Sequence, residues 1–304
     1  MWDAGSFVSR LEKLDGVSFR RNVELSALTS FRVGGPADVL AVAESPGGLS
    51  GLLELLKHTG ARAFVMGAGT NVVFGDSGFR GVVLKLGRGF GGVSEDPAAE
   101  GRVLAGAAAQ WSDLVEFCVA HSLSGVEQTA GIPGTVGGAL AGNAGAFGVA
   151  VGDRVAEVSG YNGEGREKKV AARDVRFGYR RADFGCELVL TGTVLALAPG
   201  ERDALRREAE GVLARRREKQ PLEFPSAGSV FRNPHGEKAG RLIQEAGLKG
   251  RRVGGAQVSE KHANFIVNRG DATAADVISL IGLVREEVWK RFGVGLELEV
   301  KVVA

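Results

Sequence analysis

The chain has 304 residues, long enough for about two domains of ordinary size. Hydrophobic residues make up 44% and charged residues 24%, which excludes wholesale disorder and disulfide-rich or fibrous classes. The formal net charge is only +2, so composition gives no case for a nucleic-acid or anionic-membrane footprint. Glycine is the outlier at 47 residues, about twice its usual share of ~7%.

The first 30 residues read as a short helix and a lead-in, without the apolar core of a signal peptide. After SFRVGGPADVLAVA (30–43), residues 46–60 place Leu49, Leu52, Leu53 and Leu56 on one helical face closed by Gly60. Residues 61–67 read as a strand, 67–79 as a glycine-bearing turn, and 81–86 as a strand. A strand at 101–109 precedes a helix at 110–121, and strand signals recur at 154–159, 166–171 and 187–197. The uncharged segment 131–152 has too many glycines for a membrane span and reads as a buried or ligand-covering loop. Beyond Pro199 the character changes. Residues 199–220 form a charged helix with Leu205, Ala209, Val212 and Leu213 as its apolar stripe. A helix at 237–247, a strand at 261–270, a helix at 273–292 and a strand at 296–303 follow. In the long helix, Thr273 and Asp276 resemble a capping arrangement, and Val277, Ile281, Val284 and Val288 give the buried stripe. The class is α+β, divided at 1–198 and 199–304.

Two glycine segments follow strands. MGAGTN (66–71) contains GxG but continues into a strand rather than a helix, which argues against a Rossmann site. Gly67 and Gly69 would still let the backbone approach a pyrophosphate closely, and Thr70 and Asn71 add donors. A tight structural turn is the plainer reading of the same residues. The second segment, GIPGTVGGALAGNAGAFG (131–148), suits a cover over a flat apolar ring, or a glycine-bearing core loop. Cys118 and Cys186 have no CxxC partner and read as inert reduced thiols, and the four histidines are scattered without metal-ligand spacing. A metal site is not expected.

Seven stretches carry a resemblance: LSALTSFRVGGPADVL (25–40), MGAGTNVVFGDSGFRGVVLKL (66–86), GIPGTVGGALAGNAGAFG (131–148), FGYR (177–180), KQPLEFPSAGSVFRNP (219–234), GLKGRRVGGAQVSEKHANFIVN (247–268) and FGVGLELEV (292–300). In this order they resemble the UDP-N-acetylenolpyruvoylglucosamine reductases, flavoenzymes that make UDP-N-acetylmuramate for bacterial cell walls. The resemblance implies an FAD-binding portion of vanillyl-alcohol-oxidase type at 1–198, in two α+β lobes with the glycine-rich cofactor loops. It implies a smaller reductase-specific, substrate-binding α+β domain at 199–304. It further implies non-covalent FAD, NADPH as co-substrate, a UDP-sugar substrate, a monomer, and a cytoplasmic location away from membranes and nucleic acid.

Carried over residue by residue, Arg180, Ser229 and Glu299 match the catalytic arginine, proton-donating serine and glutamate. Gly67, Ala68, Gly69, Thr70 and Asn71 match the pyrophosphate segment, and Arg32 with Gly34 the early flavin-side motif. Gly131, Ile132, Pro133, Gly134, Gly137, Gly138 and Asn143 match the flavin-covering segment. Tyr179, Lys219, Asn233 and His262 are expected to touch substrate. The sequence departs from the pattern at Arg232 of FRNP, at ALAGNAGA (139–146), and at Arg181 and Ala182 after FGYR. It resembles the branch that lacks a tyrosine-carrying insertion between Arg180 and Ser229. By composition alone, Ser229 is a loop serine, Arg180 a surface ion-pair partner, Glu299 a solvent-facing strand residue and His262 a structural histidine. An oxidase of the same flavoprotein superfamily and a non-catalytic flavin- or nucleotide-sugar-binding protein are the alternative functions. AGSVFRNP with LELEV argues against the first, and the presence of Arg180, Ser229 and Glu299 together argues against the second.

Overall fold

The computed structural model describes residues 2–303. Two compact units alternate along the chain. The first comprises Met1–Arg21, Asp38–Ala68 and Gly81–Ala214, and the second Asn22–Ala37, Gly69–Arg80 and Arg215–Ala304. Helices and strands mix throughout, in agreement with the α+β expectation.

In the first unit, helices α1 (Ala4–Leu11) and α2 (Pro46–Thr59) pack by their apolar faces. Ser45 caps α2 by accepting from the Gly48 N–H at 3.1 Å, and Pro46 stands where no intrahelical donor is needed. Gly60 ends α2 in the left-handed conformation, φ +63°. The buried face is the expected one: Leu49, Leu52, Leu53 and Leu56. Strands Val17–Glu24, Pro36–Ala43, Phe79–Leu86 and Ala63–Val65 follow one another in a four-stranded sheet, the last two parallel. The strand at 61–67 is thus shorter than expected.

A second core in the same unit lies on an antiparallel sheet with the order Glu167–Ala171, Val155–Tyr161, Val189–Ala196, Arg102–Gly106 and Val93–Glu95. Helix α3 (Trp111–Ala120) buries Trp111 completely, and the indole donates to Thr129 Oγ1 at 2.9 Å. Cys118 lies in this core, where burial, then the nearby charge of Glu127, pushes its thiol up to about 12. Such a thiol is unreactive at neutral pH. Cys186 is exposed.

The glycine-rich 131–148 segment is not only a loop. Thr135 caps a short helix α4 (Val136–Ala141), with Val136, Ala139 and Leu140 buried. Gly137 is required by packing, since a Cβ there would lie 2.9 Å from Ala107 Cβ. Helix α5 (Arg202–Lys219) buries Leu205 and Val212, with Ala209 and Leu213 half-buried beside them.

In the second unit, α6 (Ala239–Glu245) and α7 (Ala274–Phe292) cover a core that includes Val230, Phe231, Val258, Ile266, Leu280 and Val284. Helix α7 has a full capping box of Thr273 and Asp276, and Gly293 closes it at φ +67°. Asp76 adds a second N-terminal cap, its oxygens accepting from the N–H groups of Ala274 (2.8 Å) and Ala275 (2.9 Å). Strands Arg252–Val253, Ala256–Val258 and Ile266–Asn268 form an antiparallel sheet, and Val72–Phe74 pairs in parallel with Lys301–Val303. The strand expected over 261–270 is therefore only Ile266–Asn268. A turn precedes it, with the N–H groups of Lys261 and His262 donating to Ser259 Oγ. Residues 297–300 likewise leave regular pairing, because they bond to the segment 230–232 instead. Among the described residues no helix is long and apolar enough to cross a membrane.

Candidate active site

The expected site residues fall in both units. The first unit holds Gly67, Ala68, Gly131, Ile132, Pro133, Gly134, Gly137, Gly138, Asn143, Tyr179 and Arg180. The second holds Arg32, Gly34, Gly69, Thr70, Asn71, Lys219, Ser229, Asn233, His262 and Glu299.

In the first unit, strands Arg176–Gly178 and Arg181–Asp183 form a hairpin whose two-residue turn is Tyr179–Arg180. Arg180 sits at φ +55°, a position where glycine or asparagine is favoured. A non-glycine residue held there stores backbone strain, a recurrent feature of functional sites. Its guanidinium donates from an Nη to the Gly145 carbonyl at 2.9 Å and lies 5.6 Å from the Tyr179 ring centre. Asn143, buried and also left-handed at φ +40°, secures the same corner. Its Nδ2 donates to the Gly178 carbonyl at 2.9 Å and its Oδ1 accepts from the Gly152 N–H at 2.8 Å. Asn143, expected to touch cofactor, thus bonds to backbone on both sides of its amide. Tyr179 is 57% exposed.

In the same unit Gly131 (φ +75°) and Gly134 (φ +117°) need the freedom of glycine, and Gly131, Pro133 and Gly138 are exposed. A Cβ on Gly67 would lie 2.6 Å from Thr135 Oγ1, so this glycine permits the contact of its own turn.

In the second unit Gly69 is left-handed (φ +69°), and a Cβ there would lie 2.3 Å from the Leu28 carbonyl oxygen. Its own carbonyl accepts from the Ser30 N–H at 3.0 Å. Ser30 Oγ donates in turn to the Ser226 carbonyl at 2.7 Å, three residues before Ser229. Arg32 is exposed and left-handed (φ +57°). Its turn is held by Asn268, a buried residue the sequence reading passed over, which donates to the Phe31 carbonyl at 3.2 Å. A Cβ on Gly34 would lie 2.9 Å from Phe74 Cβ.

Ser229 and Glu299 come together here. Both are half-buried, and the Glu299 N–H donates to the carbonyl of Val230, next to Ser229, at 2.8 Å. Asn71 joins them, its Nδ2 donating to the Glu299 carbonyl at 3.2 Å and its own carbonyl accepting from Lys301. Gly228, at φ +75°, has open space where a Cβ would stand. Asn233 Oδ1 accepts from the Ala239 N–H at 3.1 Å at the start of α6. His262 packs edge-on against Phe265, and its buried Nδ1 has no hydrogen-bond partner among the described residues. Burial, and secondarily Lys249, holds its pKa below the usual imidazole value. Lys219, at the end of α5, is exposed.

A flavin dinucleotide needs donors and unobstructed backbone for its diphosphate and an uncharged wall for its ring. The residues present fit. Thr70, Asn71 and the exposed Arg32 supply donors, 66–71 contains no acidic residue, and 131–148 contains no charge and exposes backbone at Gly131 and Gly138.

A family profile described as an FAD binding domain matches residues 37–171. A second, described as the C-terminal domain of UDP-N-acetylenolpyruvoylglucosamine reductase, matches residues 220–303. The chain is thus an FAD-binding oxidoreductase with a reductase-specific C-terminal domain. It is 45% identical over 281 residues to the UDP-N-acetylenolpyruvoylglucosamine reductase of Heliobacterium modesticaldum, covering 92% of this chain and 88% of that one. It is 44% identical to reductase 2 of Symbiobacterium thermophilum, covering 93% and 91%. The crystal structure of the reductase from Thermus caldophilus superposes with a TM-score of 0.79 at 33% identity, covering 95% of this chain and 99% of that one. The chain belongs to the UDP-N-acetylenolpyruvoylglucosamine reductase family.

Proposed function

We propose that the chain reduces UDP-N-acetyl-enolpyruvoylglucosamine to UDP-N-acetylmuramate, with NADPH as reductant and FAD bound without a covalent link, in peptidoglycan precursor synthesis. The observation that carries this reading is that the Glu299 N–H bonds to the carbonyl of Val230, next to Ser229, with Asn71 bonded to the Glu299 carbonyl. The match of residues 220–303 to the reductase's C-terminal domain argues against an oxidase with a different second domain. FAD, when bound, supplies the relay of two electrons from the nicotinamide to the substrate alkene. Gly67, Ala68, Gly69, Thr70, Asn71, Arg32 and Gly34 would hold its diphosphate side. Gly131, Ile132, Pro133, Gly134, Gly137 and Gly138 would cover its ring, with Asn143 as support. No histidine or cysteine lies in 66–71 or 131–148 to serve as an attachment point.

The alkene of an enolpyruvyl ether is conjugated to a carboxylate. Hydride arriving at C3 therefore pushes charge onto C2 and the carboxylate oxygens. Arg180 would stabilise that charge with planar donors matched to a carboxylate. Ser229 would give the proton to C2, and the open space at Gly228 leaves room for a close approach. Glu299 would share a proton with the substrate carboxylate or orient the groups that bind it. Tyr179, Lys219, Asn233 and His262 would contact the UDP-sugar. We assign 1–198 to the FAD-binding portion and 199–304 to substrate binding, in a monomeric cytoplasmic enzyme.

The test separates the two half-reactions by anaerobic stopped-flow absorbance of the flavin band. In S229A, reduction by NADPH should stay near normal, because it needs no proton at C2. Re-oxidation by the enolpyruvyl substrate should slow by at least ~10²-fold, the scale of a positioned general acid. Cysteine at 229 should recover part of the rate. Slowed reduction with intact re-oxidation would place Ser229 in the nicotinamide site or the fold instead.

A further inference from the structure

Asn264 lies between the turn at Ser259–His262 and the strand Ile266–Asn268, and it is 5% exposed. Its Oδ1 accepts from the Phe231 N–H at 3.0 Å, and its Nδ2 donates to the Phe231 carbonyl at 2.8 Å. Its own carbonyl accepts from the Val230 N–H at 2.8 Å, and Ser229 is bridged in antiparallel fashion to Phe265. One side chain thus satisfies both backbone groups of Phe231 and replaces the strand partner that is missing at that point. On the opposite edge, Val230 accepts from Glu299 and Arg232 donates to the Glu297 carbonyl at 2.9 Å. The segment Ser229–Arg232 is held from both sides, and on the 264–265 edge the Asn264 amide adds side-chain bonds to its backbone pairing.

We propose that Asn264 is a positioning residue for Ser229. It fixes the extended path of residues 229–231, and so the point from which the Ser229 hydroxyl departs. The inference rests on the reading of Ser229 as the proton donor. Only a group with a donor and an acceptor side by side fits the two Phe231 groups. A buried carboxylate has two acceptors, one of which would face the Phe231 carbonyl. A protonated carboxyl group restores the amide's pattern, with its O–H donating to that carbonyl.

That distinction provides a test a general loss of packing would not mimic. In N264D holoenzyme at about pH 8, re-oxidation by the enolpyruvyl substrate should slow ~10-fold or more, as expected when a reacting group is misplaced from a distance. Reduction by NADPH should remain within about twofold, because that half-reaction does not use the Ser229 proton. Burial raises the pKa of an introduced carboxyl, so lowering the pH to about 6 should return much of the lost re-oxidation rate relative to wild type. N264S, which cannot titrate, should show the same split without the recovery. It also carries the half-reaction comparison if N264D does not fold. Equal loss in both half-reactions in either variant, or an N264D ratio to wild type that does not change with pH, would overturn the proposal. S229A run alongside keeps the two ideas apart. An unaffected re-oxidation rate in S229A removes the proton-donor reading, whereas a slowed S229A with a normal N264D removes only the role of Asn264.

Discussion

Arg180 in the first unit sits at the tip of a hairpin, half-buried, with its backbone at φ +55°. Ser229 in the second unit lies in an extended segment beside the fully buried Val230 and Phe231, paired along both edges. Bonds from side chains to backbone, among them those of Arg180 and Asn143, hold the turn against a local strain of about 1–3 kcal/mol. The segment carries no such strain and takes its shape from the core beneath it. The hairpin therefore sacrifices stability for placement of a side chain, while the segment gains placement and stability from the same contacts. Substitutions should separate stability from activity at Arg180 and couple them around Ser229.

The largest effect that sharpens this contrast is expected from R180G. Glycine occupies the left-handed region freely, which relieves strain, while the bond to Gly145 is lost. These terms nearly cancel, so stability should change by less than about 1 kcal/mol. Turnover should nevertheless fall by ~10²–10³-fold, the scale for removing a donor that stabilises developing charge. Thermal melts and steady-state rates on the same preparation decide it. A loss of activity that merely follows a large loss of folded protein would break the comparison.

Asn143 provides a smaller test of the same corner. N143G keeps the φ +40° backbone accessible but leaves the Gly178 carbonyl and Gly152 N–H without their partner, at a cost of about 1–3 kcal/mol. N143A adds the penalty of a Cβ in the left-handed region, a further ~1–2 kcal/mol. Urea denaturation should rank wild type, N143G and N143A in that order. Equal midpoints for the two variants would mean that the backbone conformation at 143 carries no strain.

The helices were the most legible part of the fold. Their stripes and caps are local, so Leu49, Leu52, Leu53 and Leu56 of α2, and Thr273 and Asp276 of α7, could be read directly. Strands Val17–Glu24 and Pro36–Ala43 gave no clear signal. Both alternate over most of their length, but the faces differ only as half-buried against exposed in the first and buried against half-buried in the second, and Arg21 and Leu40 break the period. The LELEV stretch alternates like a strand but pairs in a regular ladder only from Lys301, because residues 297–299 are drawn to the segment 230–232. Such pairing is tertiary and leaves no local mark. Residue identities at the site came from resemblance. The left-handed backbones at Arg32, Asn143 and Arg180 could not have come from residue type, least of all for arginine. Gly69 looked like a concession to a ligand, yet the Leu28 carbonyl 2.3 Å from its would-be Cβ already demands glycine. A Gly69 substitution would therefore damage the turn before it reported on cofactor binding. Asn264 and Asn268 were invisible for the same reason as the pairing: each satisfies backbone groups far away in sequence.

The smallest expected effect concerns the frame that carries the Ser229 segment. Helix α7 covers the core containing Val230 and Phe231, and its first turn is capped by Asp276. The N–H of Thr273, then the Thr273 hydroxyl region and the Gly255 N–H, hold the Asp276 carboxyl below the usual carboxylate range. A carboxyl with a depressed folded-state pKa stabilises the protein above its unfolded pKa of about 3.9, and that contribution disappears as pH falls through the folded value. D276N lacks this contribution at every pH. The gap in urea midpoint between wild type and D276N should therefore be widest at about pH 5 and above, and close progressively toward about pH 2. Acid lability common to both proteins cancels in the difference. A gap that stays constant over that range would show that the charge of Asp276 does not support α7.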